Sequence, residues 1–280
     1  MSERVKGIIY MLLAATALSL AGIFVKLSAW DSFGFTGGRS IATLASCLVY
    51  MLFTGKKFVF NKPVVFGGIC ISLLNFLFIF ATQSTSAANA IVLEYTEPFF
   101  VILLLWIVYK QKPRGAEIAA VLAAFLGIIF FFLDKLTPGG MIGNIAALGA
   151  GFVYAIFILV KKMDGNDFFS SVLFAAILNI LLCGWTIPRQ TDWNPVGILM
   201  VALFGIIPCF LGYILLSAGL DRMPLVAGVL LSMLEPVLNP VWVALFYGEI
   251  MGKMSFIGMV IILAAAAAYS VWQVKTDGAA

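Results

Sequence analysis

Three glutamates stand in stretches that are otherwise apolar. Glu94 and Glu97 share the run Leu93-Glu94-Tyr95-Thr96-Glu97-Pro98, and Glu235 lies in Leu231-Ser232-Met233-Leu234-Glu235-Pro236. A charge at the centre of a bilayer costs at least ~2.5 kcal/mol, so such residues face a watery cavity or the interior of a helix bundle. The chemistry open to these carboxyls is to bind a proton or a cation and to exchange it with a substrate. The plainer alternative is a protonated glutamate that hydrogen-bonds a neighbouring helix. Glu94 precedes Glu97 by three residues, which on one helix puts both on the same face. Two carboxyls that close do not both ionise easily, so one stays protonated or a cation bridges them.

Proline marks the same places. Pro98 cannot donate to the carbonyl of Glu94, Pro236 frees that of Ser232, and Pro208 frees that of Phe204. Clustered beside the acids, these carbonyls form a polar patch and a hinge, or else a static kink. Asn75, Tyr213 and Asn239 are further polar groups that could line a cavity, and Asn179 reads as an interhelical hydrogen bond. Lys26 and Arg39 flank the first external loop. They serve as a gate that neutralises Glu94 or an anion, or they snorkel to the headgroups.

The elements that must hold these residues are membrane spans. Of 280 residues 63% are hydrophobic and 11% charged, where a soluble domain carries about 25% charge. Runs long enough to cross a bilayer read as 7–27, 34–54, 64–82, 87–109, 115–133, 141–160, 168–187, 196–217, 224–247 and 254–273. The fold class is therefore an all-α membrane protein of ten transmembrane helices. Glu97 lies about 15 Å into the fourth span, close to the midplane, and Glu235 is at similar depth in the ninth. Residues 1–25 have the outline of a signal peptide, but their apolar run is span-length and belongs to a repeat. Loop charges orient the chain. With the N-terminus inside, twelve Lys and Arg fall on the cytoplasmic side and three (Lys135, Arg189, Lys253) outside, so both termini are expected in the cytoplasm.

The two halves repeat. Gly7 to Lys26 aligns with Gly143 to Lys162, and Leu93–Pro98 aligns with Leu231–Pro236, at offsets of 136 and 138. Asn75 and Tyr213 are equivalent at the later offset. Five spans per half is odd, so the second half (137–280) is expected upside down relative to the first (1–136). Inverted repeats of this kind place a site near the midplane where the halves meet.

The pattern resembles the EamA family of the drug/metabolite transporter superfamily. It does so in ten short spans in two halves, in Lys26 and Arg39 about the first external loop, and in Ser84-Thr85-Ser86-Ala87-Ala88-Asn89-Ala90 before a proline-containing span. The second half repeats that block as Pro224-Leu225-Val226-Ala227-Gly228 before Glu235-Pro236 and ends in Phe246-Tyr247-Gly248-Glu249. One departure is that the acid at Glu249 is Gln111 in the first half. The resemblance implies transport, often outward, of metabolites such as amino acids, amines or nucleosides.

Other classes are poorly supported. The chain has no histidine and no GxxxxGK[ST], so zinc hydrolysis and direct use of ATP are not indicated. Cys47, Cys70, Cys183 and Cys209 form no CxxC, and no metal site or cofactor is expected. The expected activity is secondary-active transport by alternating access, not catalysis. Its partners are a small-molecule substrate, a proton as the candidate coupling ion and the surrounding membrane lipid in the cell membrane. Nucleic acid is not expected, and a homodimer stays open. The rival reading is a flippase for a lipid-linked intermediate.

Overall fold

Capping residues and prolines cut the chain into helices. After α1 (Glu3–Ser19) and α2 (Ala21–Lys26), Asp31 starts α3 (Ser32–Thr54) by accepting the N–H groups of Phe33 and Gly34, each at 2.9 Å. Gly55 ends α3 in the left-handed region, at φ 68°. Asn61 caps α4 (Lys62–Ser84) through the Val64 N–H. Next come α5 (Ala87–Glu94) and α6 (Glu97–Tyr109), the latter closed by Lys110 at φ 56°. The Glu117 carboxylate accepts the Arg114 N–H at the start of α7 (Gly115–Phe132). In the second half, α8 (Met141–Val160) precedes α9 (Phe168–Cys183), which is capped by Asp167. A 3₁₀ turn (Gly184–Arg189) follows. Asn194 and Pro195 then start α10 (Pro195–Phe204), which runs through a π-helical turn (Gly205–Gly212) into α11 (Tyr213–Leu220). The chain closes with α12 (Leu225–Ser232), a helical stretch at 235–238 and α13 (Lys253–Asp277).

This is a computed structural model that describes residues 3–85, 87–133, 140–238, 241–242 and 252–277. Asn239 lies outside the described residues, as do the side chains of Lys26 and Gln83.

Among the described residues seven helical segments are long and apolar enough to cross a membrane: Glu3–Val25, Lys62–Ala81, Asn89–Tyr109, Gly115–Phe132, Met141–Val160, Phe168–Arg189 and Pro195–Leu220. Leu225–Leu238 and Lys253–Tyr269 are shorter apolar helices. The helix over 32–54 is span-length, but Ser32, Thr36, Arg39, Ser40 and Thr43 make its first half more polar than the others. The outer surface is apolar, with Phe53 87% exposed and Leu52, Trp106, Leu122 and Leu181 also outward. Water does not tolerate that face and lipid does. The chain is a multi-pass membrane protein.

Helix α8 is the most enclosed span. It packs on α4 and on both α5 and α6. Its small residues allow the approach: a Cβ on Gly143 would lie 2.7 Å from the backbone of Ser84 and Thr85. The same relation recurs at the other end of the repeat, where a Cβ on Gly7 would lie 2.9 Å from Cβ of Arg222. The pairings exchange in the same way when the halves are swapped. Helix α4 packs on α8 as α11 packs on α1, while α3 meets α9 and α7 meets α13. On α13, Ala264 and Ala268, whose four-residue spacing suggests a packing seam, face outward. The seam is formed instead by Gly258, Ile262, Ala265 and Ala266. A Cβ on Gly258 would overlap the Gly127 carbonyl.

Candidate functional site

The fourth span does not kink at its proline; it stops and restarts. Helix α5 ends at Glu94, Tyr95 and Thr96 form a turn, and Glu97 opens α6 with Pro98 in its first turn. The ninth span breaks at the equivalent residues. Helix α12 ends at Ser232, Met233 and Leu234 form the turn, and helix resumes at 235 with Pro236 next. Proline is well placed at the first position of a helix because that N–H has no partner there in any case. The break corrects the reading of one continuous face carrying Glu94 and Glu97: the two acids end and begin separate helices. It also gives Glu97 a helix N-terminus, where the backbone dipole favours an acidic group.

The break is held by α8. A Cβ on Gly151 would lie 2.5 Å from the Glu94 carbonyl oxygen and 3.2 Å from the Thr96 hydroxyl. The Thr96 hydroxyl in turn donates to the Leu93 carbonyl at 2.6 Å.

Glu97 is 0% exposed. Its Oε1 lies 3.4 Å from the Ser232 hydroxyl, and its Oε2 has no hydrogen-bond partner among the described residues. Ser232 occupies the place in the second half that Glu94 occupies in the first. It also donates to the Val229 carbonyl at 2.7 Å. Glu94 and Glu235 are half-buried, and the Tyr95 hydroxyl hydrogen-bonds the Glu235 carboxyl. Tyr154 is buried on α8, three residues after the Gly151 that seats the break. The structure thus brings Glu97, Ser232, Tyr95 and Glu235 together where the broken helices meet, with Glu94 at the end of α5 beside the same turn.

Arg39 lies elsewhere than the sequence suggests. It sits about two turns into α3, 9% exposed, with its side chain turned into the bundle instead of toward headgroups. Its guanidinium donates to Asn75 Oδ1 at 2.8 Å, reaches Cys209 Sγ at 3.7 Å and stacks over the Phe204 ring at 4.9 Å. Among the described residues no carboxylate forms an ion pair with it, which removes Glu94 as its partner. Arg39, Asn75, Asn179, Cys209 and Tyr213 line a cavity of ≈ 20 Å³, room for about one water. Asn179 makes no interhelical hydrogen bond through its carbonyl: the buried Oδ1 has no partner among the described residues. Asn75 and Tyr213, equivalent in the repeat, therefore share one wall beside Arg39.

Pro208 sits inside the π-helical turn Gly205–Gly212. The wide turn accommodates a residue without an N–H. It presses on α3 at Arg39, where a Cβ on Gly205 would overlap the Arg39 carbonyl, and the Thr43 hydroxyl lies 3.0 Å from the carbonyl oxygens of both Arg39 and Gly205.

A larger cavity of ≈ 650 Å³ opens at the end that carries the basic loops. Gln111, Lys112, Arg114, Lys161 and Lys162 line it with Glu117 and Asp221. Lys161 pairs with Asp221 at 2.7 Å and donates to Ser217. On the walls of this cavity are Leu105 of α6 and Val226 of α12. Deeper on the same helices, Val101 and Val229 are buried between that level and Glu97 and Ser232. Sequence counting treats these lysines as topology signals alone, and only the repeat alignment pointed at Ser232.

The two ends are fastened by equivalent caps. At one end Asp31 also accepts from the Gln190 side chain, and Trp30 meets Trp193 edge-on at 5.3 Å while donating to the Asp192 carbonyl. At the basic end Asp167 accepts from Lys56 at 2.8 Å and from Ser170. Burial pushes the Asp31 carboxyl up, but hydrogen bonds from Gln190 and from the backbone of Gly34 and Phe33 outweigh it and hold Asp31 below its usual range.

Comparison with known proteins places these features. The sequence model of the EamA-like transporter family matches residues 5–133 and again 141–271. The chain is 26% identical over 274 residues to the threonine/homoserine exporter RhtA of Escherichia coli K12, covering 92% of this chain and 89% of that one. It is 28% identical over 211 residues to the uncharacterized transporter YwfM of Bacillus subtilis 168, covering 72% and 71%. Human solute carrier family 35 member G1 is 23% identical over 232 residues, covering 71% and 62%. A solved crystal structure shares the fold at a TM-score of 0.84 and 19% identity, over 96% of this chain and 98% of that one.

Proposed function

Because the chain belongs to the EamA-like transporter family, we propose that it exports a small metabolite across the cell membrane by alternating access between two inverted five-helix repeats, 1–136 and 137–280. In this reading the chain makes ten crossings, both termini are cytoplasmic, and the ≈ 650 Å³ cavity is the cytoplasmic entrance. The excess of Lys and Arg around that cavity supports the orientation. The recurrence of helix pairs and helix breaks on exchange of the halves supports the repeat arrangement.

The observation that carries the proposal is Glu97, fully buried beside Ser232 of the opposite half. A hydroxyl has one proton to give, and the Val229 carbonyl at 2.7 Å takes it in preference to an acceptor at 3.4 Å. That leaves a neutral Glu97, whose own O–H donates to the Ser232 oxygen, as the species that fits. Releasing that proton into water, when the halves separate, drives the next step. Substrate enters from the cytoplasm. The apolar layer of Val101 and Val229 parts, and the cationic group of the substrate meets Glu94, Glu97 and Glu235. The exporter RhtA points to amino acids as the first class to test.

The test is counterflow in proteoliposomes of the purified full chain, with radiolabelled L-threonine, L-homoserine and panels of amines and nucleosides. Saturable counterflow of one class that Glu97→Gln abolishes, while the variant still elutes as a monodisperse species, is the expected result. No counterflow of any compound by the wild type, or full activity of Glu97→Gln, overturns the reading.

A further inference from the structure

Arginine cannot give up its proton to escape burial. When it leaves water, an anion has to offset its charge or the full cost of desolvation stands. Arg39 is in that position. It is 9% exposed, and its side chain meets the Asn75 amide oxygen, the Cys209 thiol and the Phe204 ring, all neutral. Among the described residues no carboxylate forms an ion pair with it, and none lines the ≈ 20 Å³ cavity that it borders. Its Nε is buried with no hydrogen-bond partner among the described residues.

The rest of the cavity wall supplies donors. Asn75 has its Oδ1 engaged by Arg39, which leaves its N–H2 group to offer. Tyr213 and Ser40 bring hydroxyls. Asn179 is 4% exposed, and its buried Oδ1 has no partner among the described residues. Turning that amide over breaks no hydrogen bond of the oxygen and presents N–H2 to the cavity. These side chains come from α3, α4, α9 and α11, two helices of each half.

We propose that Arg39 holds a halide ion in this cavity, chloride in physiological salt. A water fits the volume but brings no charge. A halide is a sphere little larger than a water and accepts hydrogen bonds from every side, which suits a wall of donors. Phosphate, sulfate and organic carboxylates are too large for a space of this size. The ion takes the Arg39 Nε–H together with donors of Tyr213 and Asn179. Its charge cancels that of the guanidinium where the two halves pack. The site is distinct from the glutamates at the helix breaks and does not depend on what the chain transports.

The test uses the purified full chain in detergent, at one ionic strength, in sodium chloride, sodium bromide or sodium gluconate. Gluconate cannot enter the cavity. The apparent unfolding temperature is expected to rise saturably with chloride or bromide, by roughly 2–5 °C over gluconate, because an ion that binds only the folded chain stabilises it by mass action. Asn179→Asp places a fixed carboxylate on the same wall. It is expected to abolish the halide response without lowering stability in gluconate. Crystals grown in bromide are expected to show an anomalous peak beside Arg39 Nε. Identical wild-type melts in the three salts overturn the proposal and mark any bromide found there as an adventitious ion only. A halide response that Asn179→Asp leaves unchanged overturns it too, as does a water at that position with no bromide signal. The wild-type melts and the bromide signal need no variant, so misfolding of Asn179→Asp does not shield the proposal.

Discussion

Gly151 and the carbonyl oxygen of Glu94 approach so closely that a methyl group on the glycine would lie 2.5 Å from that oxygen. Helix α8 therefore seats the broken end of α5 without room for a side chain. Gly151→Ala must push α8 or the break aside. The expected loss is about 1–3 kcal/mol, as for overpacking in general. It is read as a lower unfolding temperature in detergent. Gly149→Ala is the control on the same helix. Its new methyl meets Leu77 at an ordinary 3.6 Å, and helix propensity alone predicts a gain of roughly 0.5–1 kcal/mol. Equal behaviour of the two variants would show that the contact at Gly151 is unimportant.

Ser232 separates two roles that Glu97 combines. If the serine only fills space, Ser232→Ala leaves the pH profile of transport unchanged. If its oxygen accepts a hydrogen bond from the Glu97 O–H, the alanine variant removes a partner of the neutral acid. The pH at which transport changes then moves relative to the wild type, while the protein stays folded. The comparison of the two pH profiles in proteoliposomes decides between them.

Asp31 lies outside the spans and gives a signed prediction. Its carboxyl is held below the usual 3.8 by bonds made in the folded state, so the stability it contributes is complete above that value and is lost as pH falls through the folded value. Asp31→Asn keeps an acceptor for the α3 cap but does not titrate. The expected result is a shallower loss of thermal stability below about pH 4. Superimposable acid limbs for the two proteins would contradict it.

At the basic end, Lys56 and Asp167 form a partly exposed ion pair whose side chains are 37% and 19% accessible. Lys56→Met is expected to cost no more than about 1 kcal/mol. Asp167→Ala also removes the cap of α9 and the acceptor for Ser170, and should cost roughly 1–2 kcal/mol more. Guanidine or thermal melts in the same detergent measure both.

Much of this was legible in the chain. The acids were visible because charge is conspicuous in apolar sequence, and the 138-residue offset paired Glu97 with Glu235 and Glu94 with Ser232. What the sequence hid was geometry that depends on neighbours. Pro98 and Pro236 read the same whether a helix bends around them or begins at them, and the close seat that Gly151 of another helix gives the break before Pro98 cannot be read from the local sequence. Arg39 reads as a gate or as a snorkelling residue because it is near a span end. Its inward turn depends on Asn75 and Phe204, which are distant in sequence. Ala264 and Ala268 have the spacing of a seam, but small residues that are also apolar suit lipid equally well.

The exchange of Glu94 for Ser232 between the two halves has an energetic corollary. If the chain works by the alternating access proposed above, two identical repeats would make its inward and outward shapes equivalent by a two-fold rotation and equal in free energy, with no preferred resting posture. Here one half brings two carboxyls to the junction and the other brings one and an alcohol. The degeneracy is lifted by the chain itself, so a preferred orientation is built in before any gradient or cargo is applied.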